Sequence, residues 1–154
     1  MSGKRKNHAS VVLDGKIYAI GGNDVATYLD TVEVYDPQAN SWQRLASMPE
    51  GLHSHAAAAM GGKIYVTGGV KQGTANSAYV YDPQSDAWTQ LASMGNARRY
   101  HASAAVGGKL YVFGGYGIGT PRLSTAEVYD PASDSWAPVT SLTSARSDMA
   151  AVAL

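Results

Sequence analysis

The feature that most constrains this chain is a short phrase that occurs three times at a regular spacing. It reads KIYAIGG at 16–22, KIYVTGG at 63–69 and KLYVFGG at 109–115. A second phrase follows each copy and ends on tryptophan: VEVYDPQANSW at 32–42, AYVYDPQSDAW at 78–88 and AEVYDPASDSW at 126–136. The paired glycines recur after 47 and then 46 residues. A period of this length indicates a repeat architecture in which each copy is one supersecondary unit.

The length variation among the repeats is confined to one interval. From the second glycine of the pair to the tyrosine of the YDP phrase it is 13 residues in the first repeat, 12 in the second and 14 in the third. By contrast, His8, His55 and His101 each lie 13 residues before the first glycine of their pair. Insertions in repeat proteins collect in the loops of one face, which is often the binding face. The variable interval therefore indicates where a partner would bind.

Each repeat reads as four short strands. The first is rich in small residues and leads into a two-residue hairpin turn such as Asp14-Gly15. The second is rich in β-branched and aromatic residues and ends at the paired glycines, the third ends at Asp-Pro, and the fourth carries the tryptophan. The predicted strands are 9–13, 17–20, 31–35 and 41–45, then 56–60, 64–67, 78–81 and 87–91, then 102–106, 110–113, 125–129 and 135–139.

These phrases together resemble the kelch repeat, which places Arg and His before a small-residue strand and then runs GKIYVxGG, a variable loop, VEVYDP, Trp and Met. The resemblance covers the chain from about residue 5 to 154. It implies an all-β, kelch-type β-propeller with three four-stranded antiparallel blades in the chain, half of a six-bladed propeller. On this interpretation a basic N-terminal tail spans 1–7, the blades span 8–52, 53–100 and 101–148, and an extra inner strand spans 149–154.

Three blades cannot close a ring, and this predicts association. An open fan leaves an apolar face in water at each end, and exposed apolar patches of that size mark interaction sites. Propellers contain about 4–8 blades. We therefore expect a head-to-tail homodimer that closes one six-bladed ring, the number common among kelch propellers. The alternative is that the sequence is a fragment of a longer single-chain propeller.

The segment ARSDMAAVAL at 145–154 matches ARRYHASAAV at 97–106, the start of the third blade. The chain therefore contains four candidate first strands for three blades. Either 9–13 or 149–154 can supply the inner strand where a ring closes. The N-terminal candidate is joined to its neighbour by a tight hairpin, which makes its loop closure inexpensive. The sequence leaves both alternatives open.

Composition excludes several classes of function. Lys plus Arg and Asp plus Glu are equal at 12 each, so we expect no nucleic-acid partner. The sequence contains no cysteine, so it has no disulfide framework, thiolate metal site or thiol nucleophile. No apolar run approaches the roughly 18 residues of a membrane span, and the N-terminus does not resemble a signal peptide. We therefore expect no membrane partner and a cytoplasmic location.

Two sets of repeat-equivalent polar residues are candidates for chemistry. The histidines at 8, 55 and 101 would ring the mouth of the propeller channel, either as structural residues hydrogen-bonded to backbone or as ligand or metal contacts. Arg5, Arg98 and Arg146 are equivalent, and Leu52 interrupts the series. We interpret these arginines as ties between adjacent blades, with recognition of an acidic peptide or anion as the alternative.

No catalytic constellation is recognisable. The aspartates of the three Asp-Pro pairs are turn residues, and the serines near the tryptophans have no paired His and Asp. The stretch GIGTPR has no following helix and is a weak candidate phosphate loop. We predict no catalytic residue, no metal ligand and no cofactor. The tyrosines at 35, 81 and 129 and the tryptophans at 42, 88 and 136 are expected to pack between blades.

The resemblance implies a protein-interaction module whose partners bind the loops on one face. Carried onto this chain, those loops are 23–30, 70–76 and 116–124, together with 49–54, 95–100 and 143–148. Tyr and Arg are the usual interface anchors. The predicted partner-binding side chains are Asn23, Tyr28, Lys71, Arg98, Arg99, Tyr100, Tyr116 and Arg122. The alternatives are a kelch-type sugar mutarotase and a structural or engineered half-propeller without a ligand.

Overall fold

A computed structural model describes residues 3–119 and 121–152, and every regular element in those residues is a β-strand. Blade 1 contains β1 (Ala9–Leu13), β2 (Lys16–Ile20), β3 (Val32–Asp36) and β4 (Ser41–Leu45). Blade 2 contains β5 (Ala56–Met60), β6 (Lys63–Thr67), β7 (Ala78–Asp82) and β8 (Ala87–Leu91). Blade 3 contains β9 (Ala102–Val106), β10 (Lys109–Phe113), β11 (Ala126–Asp130) and β12 (Ser135–Val139).

Each blade is an antiparallel meander in which neighbouring strands in the chain are neighbours in the sheet. The prediction of an all-β chain with three four-stranded antiparallel blades is therefore confirmed. The first strands of the blades, β1, β5 and β9, pack against one another near the axis. Their small side chains allow this approach, as in the AAAAM sequence of β5. Within the described residues, no helix is long and apolar enough to cross a membrane.

The strand ends follow from local turn chemistry. Asp14 and Gly15 have φ of 50° and 74°, the left-handed pair that a two-residue hairpin requires, and Leu13 pairs directly with Lys16. The predicted first and fourth strands are confirmed at both ends. The third strand includes the aspartate that sequence analysis assigned to the turn, because Asp36 still pairs with Ser41. Its carboxylate then accepts from the turn N–H of Gln38 at 2.9 Å.

Each blade has two faces with different neighbours. The forward face is turned to the next blade in the chain, and in blade 1 it contains Val11, Tyr18 and Val34. The rear face is turned to the preceding blade, and in blade 2 it contains Ile64 and Tyr81. These two faces form one continuous buried cluster between blades 1 and 2. A second cluster joins blades 2 and 3 in the same way. The core therefore lies between the blades.

The antiparallel order sorts the connections onto two ends of the blades. The hairpins after the first strands and the turns after the third strands lie at one end. The variable loops after the second strands and the crossings from one blade to the next lie at the other, which we call the loop end. Isolated backbone bridges join these loops to the crossings, for example His53 to Val70 and Arg99 to Tyr116. The loop sets predicted to bind a partner therefore share one end of the blades.

Candidate functional site

Arg98 is a tie between the crossing that leaves blade 2 and the strands of blade 3, and not a surface contact. Its Nη1 donates to the carbonyl oxygens of Gly114 and Thr125 at 2.8 and 3.1 Å. Its Nη2 lies 2.7 Å from Glu127 Oε1, with side-chain exposures of 0% and 6%. A side chain without exposed area has no surface to offer a partner. The structure therefore supports the structural interpretation of this arginine, and we leave it out of the binding surface proposed below.

The same tie is present in blade 1 and is replaced in blade 2. Arg5 Nη2 lies 2.6 Å from Glu33 Oε2, again with both side chains buried. In blade 2 the arginine position is held by Leu52, which is fully buried. The glutamate position is held by Tyr79, whose hydroxyl donates to Glu50 at 2.8 Å. The arginine and its acid partner are thus exchanged together, which explains why Leu52 interrupts the arginine series.

Arg146 has the same place in the repeat but different surroundings. Its side chain is exposed, and its Nη2 donates to Ser144 Oγ at 2.7 Å. Glu127, the acid partner of Arg98, lies on the third strand that follows Arg98 in the chain, whereas no strand follows Arg146 in the part of the chain that the structure describes.

Four of the predicted binding residues meet at the loop end of blade 3. Two guanidinium groups lie over the ring of Tyr116, with Arg99 Cζ at 5.9 Å and Arg122 Cζ at 5.6 Å from its centroid. Arg122 Nε also donates to the Tyr116 hydroxyl at 3.2 Å. Tyr100 packs edge-on against the same ring at 6.3 Å. We call Arg99, Tyr100, Tyr116 and Arg122 the basic–aromatic cluster.

The electrostatics of this cluster favour anions. Hydrogen bonds from the Ser147 hydroxyl and the Arg122 guanidinium hold the pKa of Tyr116 below its ordinary value. Arg122 is exposed and Arg99 is partly exposed. A cation over an aromatic face is held in place by the ring quadrupole and keeps its outer N–H groups available. The cluster thus presents two guanidinium groups beside one aromatic ring.

The other three predicted binding residues have their contacts in blades 1 and 2. Asn23 lies in the bridges that join Lys6, Asn23 and Tyr28. The ring of Tyr28 packs against His53 at 4.8 Å. Lys71 Nζ lies 2.7 Å from Glu50 Oε2, in a partly exposed ion pair. The structure therefore places these three side chains at the loop end but outside the basic–aromatic cluster.

Sequence analysis missed Glu50 as an organising residue. Its carboxylate accepts from Lys71, from Ser77 at 2.9 Å and from Tyr79 at 2.8 Å. Burial raises the pKa of Glu50, but these hydrogen bonds outweigh it, so the pKa lies below the ordinary value. The signal was present in the repeats, because Tyr79 stands where the flanking blades have glutamate. Blade 2 lacks both the arginine and the glutamate of the tie, and the joint exchange indicates that another acid binds Tyr79. That acid is Glu50, in the crossing that leads into blade 2.

The channel mouth is lined by the repeat-equivalent residues before each first strand. Ser54 N–H donates to Asn7 O, Tyr100 N–H to Ser54 O and Asp148 N–H to Tyr100 O, at 2.8, 2.8 and 2.9 Å. All four residues have left-handed φ, between 53° and 57°. A cavity of about 170 Å³ opens there. This row of backbone hydrogen bonds links successive blades at the axis.

His55 and His101 pack against the paired glycines of the preceding blade, whereas His8, which follows no blade in the described chain, is exposed. A Cβ on Gly21 would lie 2.7 Å from Leu52 O and 2.9 Å from the His55 ring. His101 Nε2 lies 2.9 Å from Thr67 Oγ1. Burial lowers the pKa of His55 to about 4 and that of His101 to about 3, so both rings are neutral near pH 7. Their surroundings fit the structural interpretation.

The tryptophans and tyrosines pack between blades as predicted where a neighbouring blade is present. Tyr81 and Tyr129 are fully buried, and Trp88 and Trp136 belong to the two interblade clusters. The equivalent Trp42 lies on the rear face of blade 1, which no blade covers within the described chain, and it is exposed. The same residue type thus changes its exposure with the presence of a neighbour.

Comparison with known proteins agrees with the repeat pattern. The sequence model of the Kelch motif family matches residues 4–49, 51–95 and 97–143. Human Kelch-like protein 35 is 41% identical over 73 residues, which are 47% of this chain and 12% of that protein. Human Kelch-like protein 33 is 46% identical over 71 residues, which are 45% of this chain and 13% of that protein.

A bacterial enzyme is also similar to this chain. The N-acetylneuraminate epimerase of Shigella sonnei is 35% identical over 83 residues, or 50% of this chain and 23% of the enzyme. The match with each of these three relatives therefore spans less than a quarter of that relative's length.

Proposed function

The chain belongs to the kelch-motif family, and from this premise we propose that it is a protein-interaction module whose contact surface is the loop end of its blades. The observation that carries the proposal is the basic–aromatic cluster on blade 3. Arg and Tyr are enriched in interface hot spots, because Tyr buries a large area with only two χ angles and Arg makes directed hydrogen bonds. The similarity to two human Kelch-like proteins supports an interaction role.

The chemistry of the cluster favours a partner segment that carries carboxylates. Arg99 and Arg122 both hold their guanidinium groups within 6 Å of the Tyr116 ring, at 5.9 and 5.6 Å from its centroid. A guanidinium matches a carboxylate in a bidentate geometry, and the shared ring limits the conformational entropy lost on binding. An acidic peptide that also offers an apolar side chain to Tyr100 would use all four residues.

We further propose that the chain assembles head to tail as a homodimer with six blades. The support is the pair of apolar faces that remain at the two ends of the three-blade stack, exemplified by Ile17 and Val106. Such a dimer would present the basic–aromatic cluster twice. Two linked copies of one site raise the avidity for a bivalent partner without new contacts.

The test is a triple substitution, Arg99→Ala, Tyr116→Ala and Arg122→Ala, in the full chain. Peptides are selected from a random display library on the wild-type protein and then titrated against both proteins. The selected peptides should be rich in Asp and Glu, and the triple variant should bind them at least about tenfold more weakly with an unchanged melting temperature. Equal binding by both proteins would contradict the proposal.

A matched control places the same number of substitutions at the opposite end of the blades. Gln38, Gln84 and Ser133 are exposed in the turns after the third strands. Their replacement by alanine should leave peptide binding unchanged. Loss of binding in this control would show that the selected peptides do not recognise the loop end.

A second candidate is a carbohydrate-active function of the mutarotase type, and the similarity to N-acetylneuraminate epimerase favours it. The polar cavity at the channel mouth is the place where such a sugar would bind. Equilibration of N-acetylneuraminate anomers, followed by proton NMR with and without the protein, tests this candidate. A rate above that of the uncatalysed reaction, lost in a His8→Ala variant that keeps the wild-type melting temperature, would favour the enzyme over the interaction module, because His8 lines this cavity and is exposed.

A further inference from the structure

Both junctions between blades are fastened by the same outer set of groups. At the first junction, Trp88 Nε1 donates to Ala46 O at 3.0 Å, and Ala46 N–H donates to Asp86 Oδ1 at 2.9 Å. At the second, Trp136 Nε1 donates to Ala92 O at 2.8 Å, and Ala92 N–H donates to Asp134 Oδ1 at 2.9 Å. We call this reciprocal pair of hydrogen bonds the latch. It joins the residue after one blade's fourth strand to the tryptophan and aspartate of the next blade.

Tyrosines complete each latch. Tyr81 hydroxyl donates to Asp86 at 2.6 Å, and Tyr129 hydroxyl donates to Asp134 at 2.8 Å. Across the first junction, the ring of Tyr81 lies edge-on to that of Tyr18 at 6.5 Å. Across the second, the rings of Tyr129 and Tyr65 lie 6.1 Å apart. Each rear face therefore offers Tyr, Asp and Trp to a forward face that offers Tyr and a free backbone amide.

The rear face of blade 1 carries the same half of the latch, already assembled. Tyr35 hydroxyl donates to Asn40 Oδ1 at 2.7 Å, as the tyrosines do to Asp86 and Asp134. Asn40 has φ of 47°, compared with 49° and 45° at the two aspartates. The rings of Tyr35 and Trp42 lie 5.3 Å apart, compared with 5.1 and 5.2 Å in the other blades. Asparagine keeps the carbonyl oxygen that the latch requires.

The forward face of blade 3 carries the complementary half. Tyr111 stands where Tyr18 and Tyr65 stand in the other blades. Thr140 follows the fourth strand, as Ala46 and Ala92 do. Its backbone N–H and C=O are the two groups that the latch uses, whatever the side chain. The chain thus carries one spare half of the latch at each end.

These two ends are also where apolar side chains face water. Ile17 on the rear face of blade 1 is 40% exposed, while its equivalents Ile64 and Leu110 are 0% exposed inside the junctions. Val106 on the forward face of blade 3 is 58% exposed, while its equivalent Leu13 is 8% exposed. Ile17 and Val106 are thus aliphatic, like the residues that are buried at the equivalent positions inside the junctions. The two ends are therefore unpaired junction faces in residue type as well as in hydrogen bonding.

We propose that the spare halves pair between two copies of this chain, so that a third kind of latch closes the ring. Trp42 Nε1 donates to Thr140 O of the partner subunit, Thr140 N–H of the partner subunit donates to Asn40 Oδ1, and Tyr35 packs against Tyr111 of the partner subunit. Two such latches form, related by the two-fold axis along the channel. This interface rests on the proposed homodimer and specifies its contacts. It uses outer-strand groups, so it holds whichever of 9–13 and 149–154 fills the inner position.

The absence of cysteine from the sequence allows a direct test. In the double variant Asn40→Cys/Thr140→Cys, the two thiols meet only between different copies, and a short bifunctional thiol reagent should give a covalent dimer of twice 16.1 kDa in dilute solution. Each single variant should stay monomeric on denaturing gels, because equivalent positions lie at opposite junctions of the ring. The double variant Ala46→Cys/Asp86→Cys calibrates the reagent, because it should crosslink within one chain.

A substitution that removes a single hydrogen bond tests the effect of the latch on the dimerisation equilibrium. Trp42→Phe removes one indole N–H from each closing latch and should weaken dimerisation about three- to tenfold per latch, measured by sedimentation equilibrium. Trp88→Phe makes the same change inside a chain. It should lower the denaturant midpoint and leave the dimer constant unchanged.

The outcomes separate this interface from the proposed function. A wild-type dimer that resists Trp42→Phe, and that gives no crosslink between positions 40 and 140, overturns the latch and leaves the homodimer in place. A wild-type chain that sediments as a monomer at all concentrations overturns both, and peptide binding by the basic–aromatic cluster is still measured on its own. Higher oligomers in the crosslinked double variant would overturn ring closure, because they show an open head-to-tail chain.

Discussion

Arg98 and Glu127 form an ion pair between the crossing from blade 2 and the third strand of blade 3, with 2.7 Å between Nη2 and Oε1 and almost no exposed area on either side chain. The carboxylate also accepts the backbone N–H of Gly95 at 2.6 Å, so one acid fastens both the arginine and the crossing from blade 2. Burial raises the pKa of Glu127, but the hydrogen bonds from Arg98, Gly95 and Asn96 outweigh it and hold the pKa below the ordinary value.

Removing only the cation from this pair should be costly. Arg98→Leu leaves the Glu127 carboxylate buried without its partner, and we expect a loss of about 3–5 kcal/mol in the free energy of unfolding, measured by urea denaturation. The triple variant Asn96→Glu/Arg98→Leu/Glu127→Tyr copies Glu50, Leu52 and Tyr79 of blade 2. It should recover at least half of the loss, and a triple variant as unstable as the single one would contradict this explanation.

The free energy of unfolding should decrease as the pH is lowered, at pH values still above those at which the carboxylates titrate. The folded-state pKa values of about 4 for His55 and about 3 for His101 lie below the ordinary value near 6.5. Between about pH 6.5 and 4.5 the unfolded chain therefore binds protons that the folded chain does not, and each histidine contributes up to about 1.4 kcal/mol of lost stability per pH unit. Urea denaturation at about pH 7 and about pH 5 measures the difference.

A variant assigns this pH dependence to the buried rings. His55→Met copies Met149, which holds the equivalent position after blade 3. It should reduce the pH dependence by about half, since one of two buried histidines remains. The substitution His53→Gln changes a partly exposed neighbour and should have a smaller effect. A pH profile that is flat in the wild type would be inconsistent with two neutral buried imidazoles.

Two glycines with the same backbone conformation should differ in their tolerance of a methyl group. Gly21 and Gly61 have φ of 57° and 59°. A Cβ at Gly61 would meet nothing within 4 Å, whereas one at Gly21 would lie 2.7 Å from Leu52 O. Gly61→Ala should cost about 1–2 kcal/mol through backbone strain. Gly21→Ala should cost at least twice as much, and equal losses in thermal or urea unfolding would refute the close packing of the crossing.

The two candidate inner strands should respond differently to deletion. Residues 9–13 pair with β2 along their whole length, and Arg5 is tied to Glu33. Residues 149–152 lie outside any strand, and residues 153 and 154 fall outside the described part of the chain. Deleting 150–154 should leave the urea midpoint and the dimer constant unchanged. Deleting 1–8 should lower the midpoint, and the reverse pattern would show that the C-terminal segment forms the closing strand.

The periodic part of the structure could be predicted closely from sequence. The tight turn at Asp14-Gly15 and the tryptophan phrase fixed the first and fourth strands, because their signals are local. The third strand of blade 1 ends at Asp36, one residue after the predicted end. The Asp36 side chain accepts the turn N–H of Gln38 while its backbone still pairs with Ser41, and a strand pattern in the sequence does not show this. The sequence did not indicate that Arg98 is buried, since its partner Glu127 lies 29 positions away and in another phrase.

The loop end was the least predictable region. The contacts of Arg99 and Arg122 with Tyr116 depend on how the variable loop folds back, and the repeats share no residues there from which they could be predicted. The same is true of Glu50, whose role becomes visible only beside Tyr79 and Lys71. Repeat period determines the blades, whereas the contact surface is set by side chains that differ between repeats.

The bridge that joins Gly115 to Leu123, with Leu123 N–H donating to Gly115 O at 2.8 Å, shuts the variable loop of blade 3 at its base. Beyond that base, Tyr116 pairs with Arg122 and with Arg99 of the crossing, so the stem of the loop is held by backbone pairing. Substitutions or insertions at residues 117–121, in nature or in a selected library, should therefore change which ligand binds without changing the strands of blade 3.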